Sequence, residues 1–175
     1  MRDETMTLSG LVALCLAGQL VLTPPAVAQE GRVSHGDWVS GFNRGAGGLR
    51  CLAFTYAEGA PALPARQRQG AMTVLVVPPG ILSLFIDAGR PLPAGTAAVA
   101  EIDGAGPFPL RIRGAELWPQ AGAPEFFRAL LGGGELEVRY ARADGVELGR
   151  DLYSLDGFAA ARDQALADCA TATGG

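Results

Sequence analysis

The sequence predicts an exported all-β domain: an antiparallel β-sandwich of about seven to nine strands with two short helices, near residues 124–132 and 156–168. Three observations carry this. Short β-branched and apolar runs alternate with turn residues, 25 Gly and 12 Pro among 175 residues, as in strands joined by tight turns. The N-terminal apolar run ends in Ala26-Val27-Ala28, a small-x-small site of the kind signal peptidases cut. At the other end, Ser154-Leu155-Asp156-Gly157-Phe158-Ala159-Ala160-Ala161 takes a strand into an alanine-rich helix carrying Cys169.

Residues 8–22 are apolar or small apart from Ser9 and Gln19, so residues 1–28 read as a signal peptide and the mature chain as starting near Gln29. The opening Met1-Arg2-Asp3-Glu4 lacks net positive charge, which leaves Met6 as an alternative start. The run is shorter than the roughly 20 residues a bilayer span requires. Cys15 is a poor lipid-attachment site, because Leu14 stands where a small residue is wanted and the cysteine lies mid-run. Without the first 28 residues, 147 of the 175 remain, one domain able to bury about two thirds of its unfolded surface. Losing Arg2, Asp3 and Glu4 takes the formal charge from −4 to −3, which provides no footprint for nucleic acid. Every basic residue is Arg. Compositional bias explains that, and a preference for bidentate contacts with carboxylate or phosphate is the sharper alternative.

The strands follow in order. Residues 37–42 hold Trp38 and Phe42. Residues 50–56 set Leu52, Phe54 and Tyr56 on one side and Cys51, Ala53 and Thr55 on the other. Residues 71–77 and 81–87 are β-branched and apolar, and Val77-Pro78-Pro79-Gly80 makes a hairpin of them. Residues 97–103, 107–113 and 135–141 come next, the last two alternating charged with apolar side chains, as a sheet wet on one face does. A final strand at 148–155 enters the terminal helix. Within the run, Ala123-Pro124-Glu125-Phe126-Phe127-Arg128-Ala129-Leu130-Leu131-Gly132 has Pro in the first turn, apolar Phe127, Leu130 and Leu131, and a Gly stop, the marks of a two-turn helix plugging an end of the sandwich. Residues 44–48 and 57–70 read as exposed loops, and 170–175 as a disordered tail of the single domain 29–175. The expected core is Trp38, Leu52, Phe54, Val74, Val76, Leu84, Ile86, Ile112, Phe127, Leu136, Val138 and Phe158.

Two cysteines remain in the mature chain, Cys51 and Cys169, and an even count in an exported protein favours a disulfide. On a helix starting near Asp156, Phe158, Ala161, Ala165 and Cys169 fall along one stripe, so Cys169 faces whatever Phe158 packs on. Closing a loop of roughly 119 residues contributes on the order of 4–5 kcal/mol in the chain-entropy model. Two unpaired thiols are the alternative.

Motifs for chemistry are few. His35 is the sole histidine; beside Asp37 it could serve a metal or act as a base, but a lone His just after a cleavage site is more often solvent-exposed. Serines lack a G-x-S-x-G setting, Ser154 included. Asp87, Asp103 and Asp156 stand next to or near Gly and read as turn or cap residues. Gly132-Gly133-Gly134 has no following Lys or helix and reads as a helix stop. No catalytic, cofactor-binding or metal-ligating residue is assigned, and no cofactor is expected.

Asp37-Trp38, Arg50-Cys51-Leu52, Leu92-Pro93-Ala94-Gly95, Ile102-Asp103-Gly104, Pro107-Phe108, Leu130-Leu131-Gly132 and Ser154-Leu155-Asp156-Gly157-Phe158 occur in that order. In order and spacing this set resembles the invasion-associated locus B family of exported bacterial proteins, over residues 37 to about 167. The resemblance implies a small β-sandwich-like periplasmic or secreted protein, with founding members linked to host-cell invasion and no established reaction. The chain departs from the pattern at Gly41-Phe42-Asn43 and Arg113-Gly114-Ala115, where many members carry cysteines, so neither the family's disulfides nor a virulence role carries over. The function expected is that of a noncatalytic binding or envelope-associated protein, recognising an exported protein or cell-envelope component through loops or an edge strand. Alternatives are an inhibitor or chaperone-like module acting on another exported protein, and a hydrolase using paired carboxylates. Partner identity and oligomeric state stay open.

Overall fold

The structure is a computed structural model and describes residues 30–45, 48–58, 69–77, 80–120 and 123–173. The expected signal peptide, the mature start at Gln29 and most of the 57–70 loop lie outside them. The chain runs β1 (Glu30–His35), β2 (Trp38–Gly45), β3 (Gly48–Tyr56), β4 (Ala71–Val77), β5 (Ile81–Asp87), β6 (Thr96–Ile102), β7 (Ala105–Arg113), β8 (Glu116–Pro119), α1 (Ala123–Gly132), β9 (Glu135–Arg142), β10 (Glu147–Ser154) and α2 (Phe158–Thr173).

All ten strands belong to one sheet ordered β1-β2-β3-β4-β5-β8-β7-β6-β9-β10, and every pairing is antiparallel. The sheet bends back on itself without closing. Its far end reaches the near one where the Glu58 amide donates to the Leu152 carbonyl at 2.7 Å and the Trp38 indole donates to the Ser154 carbonyl at 2.9 Å. The result is a β-sandwich-like all-β fold around a single core. Tight turns set the hairpin registers. Between β6 and β7, Asp103 and Gly104 both take positive φ, 48° and 80°, the two-residue geometry that matches strand twist and that Asp-Gly adopts at low cost.

The described residues form ten strands, against an expectation of about seven to nine. The additions are β1, whose Gly31 interrupts any alternation, and β8, whose four residues are too few to show a period. Both helices are found, with different ends. α2 continues to Thr173, so residues 170–173, expected in a disordered tail, are helical.

Of the expected core, Trp38, Val74, Val76, Leu84, Ile86, Leu136, Val138 and Phe158 are buried. β3 is turned over relative to expectation: Cys51, Ala53 and Thr55 are buried, Leu52 and Phe54 are half-buried, and Tyr56 is 52% exposed. The reason is α2, which lies on β2 and β3 and lays Ala161, Ala165 and Cys169 against them. A helix packed that closely accepts only small side chains on the strand beneath, so the bulk of β3 goes to the outer face. In α1 the buried residues are Phe126 and Leu130, while Phe127 is half-buried and Leu131 43% exposed. Phe126 meets Phe108 of β7 edge to face at 5.2 Å, and Leu130, four residues on, shares that stripe. Ile112 and Phe127 pack against the core from its margin.

Candidate functional site

Residues 154–158 fasten the fold. Ser154 and Asp156 give their carbonyls to the Trp38 indole at 2.9 Å and the Asp37 amide at 3.2 Å, and Phe158 meets Trp38 edge to face at 4.9 Å. Gly157 has φ 85°, and a Cβ there would collide with the His35 carbonyl oxygen, so only glycine lets the β1–β2 turn sit on the start of α2. Cys51 and Cys169 form a disulfide with Cα atoms 5.6 Å apart, clamping the other end of α2 to β3.

The polar residues singled out in the sequence also do local structural work. His35 Nε2 lies 3.1 Å from Ser40 Oγ across the β1–β2 pairing. The Asp103 carboxylate accepts the amides of Gly134 and Glu135 at 2.8 and 3.0 Å, tying the exit of α1 to the β6–β7 turn. Asp87 Oδ1 accepts the Gly89 amide at 2.8 Å, closing an Asx turn. Gly132 ends α1, and a Cβ on Gly133 would strike Ile102. Among the described residues no three His, Cys, Asp or Glu gather as a metal site.

Sequence reasoning missed an interior polar cluster. The Tyr140 hydroxyl donates to Asp151 Oδ2 at 2.6 Å. Arg90 sits 3.7 Å from Asp151, with its guanidinium 5.1 Å from the centre of the Tyr140 ring. The neighbouring Tyr153 hydroxyl is buried without a hydrogen-bond partner among the described residues. Burial first, then the surrounding negative charge, pushes both phenols well above the ordinary tyrosine range. Phenols so held keep their protons and are enclosed from solvent, which suits them to specifying the core rather than to base or nucleophile chemistry. The sequence signal, Tyr140, Asp151 and Tyr153 on the paired strands β9 and β10, needs the register to be read.

The outer surface of the sheet divides into two unlike halves. Over β6, β9 and β10 it carries ion pairs, Arg139 with Glu101 and Arg150 with Glu137. Over β2 to β5 and β8 its middle is apolar, with Arg50, Ser83 and Glu116 among the same outward positions. One position from each strand forms a transverse row: Val39 opposite Phe54, Phe54 opposite Thr73, Thr73 opposite Phe85. Phe85 then stacks on Trp118 at 5.2 Å, and Trp118 stands opposite Arg111 of β7. Leu52 and Leu75 form a second row beside it, and Val77 and Ile81 at the hairpin end are 39% and 62% exposed. Arg32 lies over Phe54 at 5.7 Å and Arg113 over Trp118 at 5.9 Å. At one end an open cleft of about 230 Å³ is lined by Arg111, Arg113, Trp118, Pro119 and Gln120. No described element covers this half.

No family model matches the chain, and no curated protein matches it in sequence. Among solved structures its fold is similar to that of invasion associated protein B from Bartonella henselae. The TM-score is 0.54 with 18% sequence identity, over 78% of this chain and 96% of that one. This structural relation agrees with the family resemblance of the sequence motifs, and at that identity it establishes fold alone.

Proposed function

We propose that the chain is an exported, noncatalytic binding protein, periplasmic or secreted, that holds a partner against the apolar half of its outer sheet surface. The observation that carries this reading is the row through Phe54, Phe85 and Trp118: half-buried aromatic side chains facing solvent where the opposite half of the same surface is laced with ion pairs. A contiguous apolar patch on an otherwise polar surface marks an interaction site, and aromatics with Arg are the residues that anchor interfaces. Burying a disulfide between Cys51 and Cys169 suits an oxidising compartment outside the cytoplasm. The reading includes no reaction: His35 faces Ser40 across a strand pair, and the Asp87 and Asp103 carboxylates hold turn and helix-exit amides.

A photo-crosslinking amino acid placed at Thr73, in the middle of the row, or at Glu137, on the ion-paired half, tests the proposal in cells that express the chain. Adducts at position 73 and none at 137 are expected. Equal adducts at both, or none at 73, would defeat it.

A further inference from the structure

We infer that the partner is an acidic polypeptide segment, with carboxylates flanking an apolar or aromatic centre. This inference rests on the binding reading above and adds the chemistry of what is bound. The first observation is the charge left over on the patch. Arg32, Arg50, Arg111 and Arg113 border it, and among the described residues none of the four has a carboxylate within ion-pair distance, whereas Arg139 and Arg150 on the other half of the same sheet surface both do. Glu116, on the same face, already accepts the Trp118 indole N–H at 3.2 Å. Unneutralised guanidiniums around a desolvated apolar centre call for carboxylates, with which they form bidentate hydrogen bonds.

Size and symmetry narrow the occupant. Six strands about 4.8 Å apart make the row roughly 24 Å long, and Leu52 to Tyr56 along β3 makes it roughly 14 Å wide. The product, roughly 340 Å², is well short of the ~800 Å² per partner of a stable protein complex, and the length is that of about seven extended residues. A second copy docked face to face about a two-fold axis along either direction of the patch would set arginine ends against arginine ends, because Arg32 stands at one end of the row and Arg111 at the other. An anionic bilayer is the poorer match: Phe54, Phe85 and Trp118 are half-buried among their neighbours instead of projecting, and the mature chain is itself net negative.

The probe is a phage-displayed library of random 12-residue peptides, panned on the mature chain. It is counter-screened on two variants checked for native circular dichroism, Arg111→Glu with Arg113→Glu, and Phe85→Ser. The expected result is enrichment of peptides with Asp or Glu on both sides of aromatic or aliphatic residues. Their synthetic versions should lose about tenfold in affinity on the arginine reversal and lose affinity as salt rises, with binding also lost in Phe85→Ser. Peptides that require Phe85 but are neutral or basic, or are indifferent to the arginines, would overturn the acidic chemistry and leave the surface assignment standing. Failure to enrich any peptide sensitive to either variant would overturn both. So would sedimentation of the chain with vesicles of 30% phosphatidylglycerol in phosphatidylcholine when no peptide is enriched.

Discussion

Trp38 and Phe158 come from opposite ends of the domain and meet edge to face, 4.9 Å between ring centres, both buried. The indole N–H completes the join by donating to Ser154. Truncating either ring empties the centre of the contact between β2 and α2. Trp38→Ala and Phe158→Ala should each cost about 3–5 kcal/mol of unfolding free energy, measured by denaturant titration. Trp38→Phe, which keeps a ring and gives up the hydrogen bond, should cost clearly less.

Gly157 and Gly80 both take positive φ, 85° and 108°, yet an added Cβ collides with His35 at Gly157 and meets open space at Gly80. Gly157→Ala should therefore destabilise by more than the ~1 kcal/mol of backbone strain expected at Gly80→Ala. Equal effects in thermal melts would show that the approach of the β1–β2 turn to α2 is not tight.

Reduction of Cys51–Cys169 releases the C-terminal end of α2 and restores freedom to the unfolded chain. A loss of about 2–4 kcal/mol is expected, equivalent to roughly 4–16 °C in melting temperature for a domain of this size. Thiol titration of the denatured, unreduced protein should find neither Cys51 nor Cys169 free.

Tyr140 and Tyr153 have folded-state pKa values raised above the ordinary 10.0, chiefly by burial. Below pH 10 both phenols are protonated in folded and unfolded chains alike, so stability is undiminished by them. Above it the unfolded chain gives up their protons while the folded chain keeps them, and stability falls as pH rises. Denaturant titrations from pH 9 to 12 should show this decline. Phenolate absorbance from these two residues should appear together with loss of circular dichroism, and Tyr140→Phe and Tyr153→Phe should each reduce that absorbance step.

Fold class, eight of the ten strands, both helices and the cysteine pair were legible in the sequence because each leaves a periodic or positional mark. The α2 stripe of Phe158, Ala161, Ala165 and Cys169 is the clearest case, since all four are buried as their helical phase requires. Which face of β3 turns inward was not legible. Alternation separates Leu52 and Phe54 from Cys51 and Ala53, but the choice between the sets depends on α2, which enters more than a hundred residues later and admits only the small ones. That inversion is part of what hid the candidate site, because alternation assigns Phe54 to the core, while Trp118 lies on β8, a strand too short to show a period. The Tyr140 cluster stayed hidden for a related reason: its members meet only through the β9–β10 register.

The central claim, that the aromatic row serves a partner and not the fold, is tested most directly by Phe85→Ser with the crosslinker at Thr73, reading unfolding free energy and adduct yield on the same protein. The account predicts stability within about 1 kcal/mol of the parent, as for a surface position, with the adduct lost. A large loss of stability with the adduct retained would contradict it, since Phe85 would then belong to the packing and the partner, if bound at all, would be held elsewhere.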